Sequence, residues 1–372
     1  MNGRKANWDY LNLYQEIPLF CALVVSSFFT KSRAKKTGSV LIVNTCLIGE
    51  FAASIPAMRE YIQRHEGGAV DLMVSPPLKP LAEKICGVRR VYVAKSLYRR
   101  SSEEAEHTEQ VFDAYDTVFV MRISKDAFRL IRTIAANNIR TGLREYSGYA
   151  LHLWGSLLNR KPPKQWIELN FEMLGGKLQK SSYGEPLHFT ESELADVQHL
   201  EAFQTAQKKV IIHTGASWIM KKWDIEKWTA LLNKLQSLDD FRFIFVGGEE
   251  DAGDYNLIAS KLGFPVYSLI GKINLPQLLL ALRESDYFIG VDSGPANMAH
   301  LADTRSLTIL GPGPHFYLPW SSKDVIIDKS RGRGLYQMFF AKKNGFIDQI
   351  TVEEVYAGFV ELLRRSATYL CQ

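Results

Sequence analysis

The sequence is poor in cysteine and in familiar catalytic signatures. Its four cysteines, Cys21, Cys46, Cys86 and Cys371, are scattered and form no CxxC pair. That excludes a zinc ribbon and a thioredoxin-like motif, and points to a reducing compartment, the cytoplasm. The apolar stretch 17–30 falls short of the roughly 20 residues that span a bilayer, and a basic cluster follows it in place of a cleavage site. There is no GxxxxGK[ST] loop, GxGxxG fingerprint, HExxH pair or GxSxG elbow, which sets aside P-loop NTPases, zincins and α/β-hydrolases. No DxD carboxylate pair follows a strand, so neither a metal nor a cofactor is expected. The net charge of +5 is too small to argue for nucleic acid. It suits an anionic small molecule or an anionic membrane surface.

What the chain does have is apolar residues in quantity, 46% over 372 residues, enough for two domains with cores of their own. Val40-Leu41-Ile42-Val43 is a continuous apolar run of the kind buried on both faces of a parallel sheet. A helical pattern over 51–64 follows, then short apolar runs at 70–74, 88–93 and 117–121. The pattern restarts with strands at 208–213, 241–246, 266–269, 287–291 and 305–310, and helical spacing at 225–235, 257–262, 275–283 and 295–302. Strands alternating with helices predict βαβ units, hence an α/β protein of two Rossmann-like domains facing a cleft. The expected divisions are an apolar and basic segment 1–36, a first domain 37–180, a second domain 181–350 and a terminal helix 351–372. Thr351 with Glu354 three residues on predicts a capping box for that helix. Residues 17–36, apolar and then basic through Lys31, Arg33, Lys35 and Lys36, fit either a helix packed on the protein body or a peripheral anchor at an anionic leaflet.

Three strand-to-helix turns fall where a doubly wound domain places its ligand. After the first strand, Gly49 allows close approach and Glu50 opens a helix. Glu50 reads either as a general base or as a carboxylate favoured by the helix dipole. After the 208–213 strand come Thr214, Gly215, Ser217, Lys221 and Lys222. They offer hydroxyls, amides and positive charge to a phosphate, although paired lysines are often only solvated. After the 287–291 strand come Asp292, Ser293, Gly294 and Pro295, a strong helix start. The amides of Ser293 and Gly294 would suit a pyrophosphate, and Asp292 reads equally well as a cap.

Together these turns resemble the lipopolysaccharide heptosyltransferases, the family 9 glycosyltransferases of two-domain GT-B fold. The resemblance rests on Gly49-Glu50 with Pro56-Ala57-Met58-Arg59, on Gly215-Ala216-Ser217 with Lys221-Lys222-Trp223, on Asp292-Ser293-Gly294-Pro295-Ala296-Asn297, on Leu310-Gly311-Pro312, and on the closing Ile350–Val355 segment. It implies an inverting, metal-independent transfer of a heptose from a nucleotide sugar such as ADP-heptose to a glycolipid or glycan acceptor of the envelope. Glu50 would match the family's acid and Lys221 the lysine that steadies the departing diphosphate. Asp292, Ser293, Gly294 and Asn297 would lie near the donor, with Thr214, Gly215 and Ser217, and Glu249 near its nucleoside. A C-terminal helix packing back toward the first domain is implied as well. Glu50 stands where the family carries aspartate, and Asn297 where it carries histidine. A nucleotide-sugar epimerase and a non-catalytic nucleotide-sugar binding protein stay open beside the transferase. Acceptor contacts are expected in 95–107 and 146–164.

Overall fold

The computed structural model describes residues 38–95, 112–141, 165–178, 187–216, 219–311, 323–329 and 346–370, together with Pro18, Cys21 and Ala22. Segment 17–36 otherwise lies outside the described residues, as do 96–107, 146–164, Ser217 and the side chains beyond Arg365. The chain forms two compact units that divide between His188 and Phe189. Leu187 bridges to Ile85, and the His188 N–H donates to the Lys84 carbonyl at 2.8 Å, so the chain stays tied to the first unit until that point.

The first unit is a five-stranded parallel sheet in the order β3-β2-β1-β4-β5. Its strands are β1 (Val40–Asn44), β2 (Val70–Val74), β3 (Val88–Val93), β4 (Tyr115–Arg122) and β5 (Ala136–Thr141). β1 and β2 are buried throughout, as continuous apolar runs require. The helices are α1 (Ile48–Arg64), α2 (Lys79–Ala82), α3 (Lys125–Ile131) and α4 (Trp166–Met173). Pro56 lies inside α1 and leaves the Ala52 carbonyl without its helical N–H. Asn170 of α4 donates to the neighbouring Ala53 carbonyl at 3.1 Å and fastens the two helices together.

One residue in β2 breaks the apolar rule. Asp71 is fully buried, and Arg89 reaches it with a two-pronged contact at 2.9 and 2.5 Å while the Tyr115 hydroxyl donates to it at 2.6 Å. Burial, and then the Asp71 carboxylate, push the Tyr115 phenol above its ordinary range. Removing one partner of a buried ion pair leaves the other charge uncompensated. Arg89→Met should therefore cost about 2–3 kcal/mol, reduced from the fully buried case because Arg89 is partly solvated. Urea unfolding checks this, and an unchanged midpoint would refute it.

The second unit is a six-stranded parallel sheet in the order β11-β10-β9-β6-β7-β8. Its strands are β6 (Lys208–His213), β7 (Phe241–Phe245), β8 (Tyr267–Ser268), β9 (Tyr287–Val291), β10 (Arg305–Leu310) and β11 (Val325–Asp328). Around it stand α5 (Glu191–Gln198), α6 (Ile225–Gln236), α7 (Ala252–Ala259), α8 (Leu275–Arg283), α9 (Gly294–Leu301) and α10 (Val352–Leu370). Trp228 of α6 is fully buried, with Trp223 edge-on at 5.2 Å. α10 begins at the predicted box: the Glu354 N–H donates to the Thr351 hydroxyl at 3.2 Å, and the Thr351 N–H donates to the Glu354 carboxylate at 3.0 Å. The apolar stripe of α10, Val355, Phe359 and Leu362, enters the second unit's core, where the Phe359 ring meets Phe241 and Tyr287.

Candidate functional site

In the first sheet the strand order reverses between β1 and β4, the place where open parallel sheets hold ligands beyond their carboxyl ends. Glu50 stands there, 8% exposed, in the first turn of α1. One carboxylate oxygen is 3.5 Å from the Leu47 N–H, and the other is 2.8 Å from Nη1 of Arg122. Arg122 closes β4. A bulge lets Val43 pair with Val120 but Asn44 with Arg122, which brings the guanidinium level with the end of β1. The Arg122 side chain is 2% exposed and lies 5.5 Å from the centre of the Trp166 ring. A buried carboxylate needs such a partner, and here the partner also fixes which oxygen is turned inward. Sequence reasoning missed Arg122. The signal was a basic residue directly after the apolar run Val118–Met121.

In the second sheet the order reverses between β6 and β9. Their carboxyl ends carry His213 and then Thr214 and Gly215 on one side, Asp292, Ser293 and Gly294 on the other. Lys221, in a single turn of 3-10 helix (Ile219–Lys221), reaches in and places its ammonium 2.6 Å from the Asp292 carboxylate, with both side chains nearly buried. It can approach because Gly311 follows β10: a Cβ there would lie 2.9 Å from the Lys221 Cα. Lys222 pairs elsewhere, with Asp254 at 2.7 Å.

Ser293 is the N-cap of α9, yet its side chain makes no capping bond. Its hydroxyl is 3.0 Å from Nδ1 of His213. The other ring nitrogen of His213 lies 3.6 Å from the Asp251 carboxylate. Asp251 comes from the turn after β7 and fills the space beside Gly215, where a Cβ would lie 2.0 Å from Oδ1. Burial pushes the Asp251 carboxyl up, but its contact with His213, the Lys222 charge and the Gly248 N–H outweigh that and hold it below the usual carboxylate range. Asn297 donates to the Ser293 carbonyl at 3.0 Å, and its side-chain oxygen is buried without a partner among the described residues.

Thr214, Gly215, Lys221, Asp292, Ser293, Gly294 and Asn297 thus gather at one switch point, as their turns suggested. Glu50 belongs to the switch point of the other unit. Glu249, in the same turn as Asp251, is exposed and lies beside Gly271. Of the acidic run Glu249-Glu250-Asp251, it is Asp251 that turns inward. Neither Asp251 nor His213 had a role in the sequence reading, because a histidine ending a strand and a third acid in a row carry no motif.

The family model described as Glycosyltransferase family 9 (heptosyltransferase) matches residues 108–335, well over half of the chain. The chain belongs to glycosyltransferase family 9, the heptosyltransferases. Among curated family members it is 30% identical to lipopolysaccharide heptosyltransferase 3 of Escherichia coli over 132 residues, 34% of this chain and 38% of that protein. A match to lipopolysaccharide heptosyltransferase 3 of Escherichia coli strain K12 covers 51% of its length, so the chain spans about half or less of the curated relatives it matches. Among solved structures, a family 9 glycosyltransferase of Veillonella parvula superposes with a TM-score of 0.68 at 14% identity, covering 89% of this chain and 99% of that one. Escherichia coli ADP-heptose lipopolysaccharide heptosyltransferase II gives 0.64 at 17% identity, covering 88% and 99%. The two parallel-sheet units are therefore those of the heptosyltransferase fold, as the sequence predicts. Among the described residues, no helix is long and apolar enough to cross a membrane.

Proposed function

We propose that this heptosyltransferase-family chain moves a heptose, with inversion, from a nucleotide-activated donor such as ADP-heptose to a lipopolysaccharide-core or related envelope glycan. The observation that carries this reading is Glu50, a buried carboxylate held by Arg122 at the switch point of the first sheet. In a single displacement the acceptor hydroxyl attacks the anomeric carbon, its proton passes to Glu50, and the nucleoside diphosphate leaves. Lys221 and the first amides of α9 would receive the charge growing on that leaving group. These groups supply positive potential without a metal. The named donor of the Escherichia coli structure supports the choice of ADP-heptose. Work at the cytoplasmic membrane face, with 17–36 as a peripheral contact, belongs to the same proposal.

One observation favours a second reading, nucleotide-sugar binding without turnover: the Glu50 carboxylate already has Arg122 as a partner. Incubation of the purified protein with ADP-heptose and heptose-deficient lipopolysaccharide core separates the two. Released ADP together with a one-heptose mass increase supports transfer. Donor that binds but is not consumed supports the second reading. NMR of the donor incubated alone would expose an epimerase, since only that activity alters the sugar without an acceptor.

A further inference from the structure

Serine at an N-cap ordinarily accepts a hydrogen bond from the second or third amide of its own helix. Ser293 has the extended backbone of such a cap, φ −158° and ψ 177°, and does not do so. Its hydroxyl goes to His213 instead. The contact is built from three strands. His213 ends β6, Ser293 follows β9, and Asp251, beyond β7, faces the second ring nitrogen of His213. Asp251 is held in turn by the Gly248 N–H at 3.1 Å. In the neutral ring the facing carboxylate favours the tautomer with its proton on Nε2, and in that tautomer Nδ1 accepts from the Ser293 hydroxyl. The His213 side chain is 6% exposed, so solvent does not readily replace this arrangement.

α9 therefore starts with an amide its own cap leaves alone. Pro295, at the second position, has no N–H, so the amide a Ser293 cap would take is that of Ala296. We propose that His213 is a positioning residue of the donor site: it draws the Ser293 hydroxyl off α9 and keeps the Ala296 amide open to a diphosphate. This rests on the reading that the donor's diphosphate binds at this switch point. Without His213, Ser293 turns back onto its own helix and competes with the ligand by about the strength of one cap, roughly five- to tenfold in affinity.

The test is calorimetric titration of the full chain with ADP, beside thermal unfolding. His213→Ala should weaken ADP binding about five- to tenfold. His213→Asn, whose carboxamide stands near the place of Nδ1 and can hold the hydroxyl, should stay within about twofold, although both variants lose the Asp251 contact and a similar amount of thermal stability. In the His213→Ala background, adding Ser293→Ala should tighten ADP binding, because it removes the competing cap. A purely structural role for His213 predicts that the second substitution changes nothing or weakens binding further, and either result overturns the proposal. So does ADP binding by His213→Ala equal to that of the unaltered chain. If the unaltered chain binds none of ADP, GDP and UDP, the donor-site reading itself falls, and this inference falls with it.

Discussion

Glu50→Gln is expected to lower kcat by about 10²–10⁴-fold while leaving the donor KM near its original value, since a positioned general base contributes roughly that much. Glutamine keeps the shape and the carbonyl-type oxygen but has no basic oxygen to take the acceptor's proton. The same change leaves the Arg122 guanidinium facing a neutral partner in a buried place, so some loss of stability should accompany it. Two effects on one residue are separable with a second substitution. Glu50→Gln/Arg122→Met removes both charges and should recover stability without recovering turnover. Steady-state kinetics and urea unfolding of the single and double variants check this. Full turnover in Glu50→Gln would sink the assignment of the base.

The second large effect is expected at Lys221. Loss of a donor that stabilises developing charge typically costs about 10²–10³ in kcat. Lys221→Met should show a loss of that order, seen in single-turnover experiments at saturating donor. Its pairing with Asp292 sets up a rival explanation, in which the ammonium is only the counter-ion of a buried carboxylate. Under that explanation Lys221→Met/Asp292→Asn would restore the chemical step along with the fold. With Lys221 engaged by the leaving group, the double variant folds normally and stays slow.

Much of this architecture was legible in the sequence, for a physical reason. Strands buried on both faces are apolar along most of their length, so β1 and β9 stand out as near-continuous runs, and β6, β7 and β10 through the stretches Val210–Ile212, Phe241–Phe245 and Leu307–Leu310, broken only by Arg242 and Thr308. Two of the four edge strands did not stand out. β5 reads Ala-Asn-Asn-Ile-Arg-Thr and is half exposed, and β11 is four residues long. An edge strand is held by backbone pairing on one side, and its side chains need no pattern. α4 and α5 were missed as well, each only eight residues long. At the site, turns following buried strands announced Glu50, Lys221 and the Asp292–Gly294 corner. Arg122, His213 and Asp251 stayed silent because their meaning lies in which strands end side by side, and strand order is not written along the chain.

The bulge in β4 has a consequence for how this protein tolerates change. Side chains alternate between sheet faces, so one extra residue decides which of Met121 and Arg122 meets the end of β1. Inserting one residue between Val118 and Met121, with the single bulge kept, would place Met121 opposite Asn44 and turn the guanidinium away from Glu50. Such an insertion alters no residue of the candidate site. The reading frame of a strand, counted in single residues, is thus as much a part of this charge pair as the arginine itself.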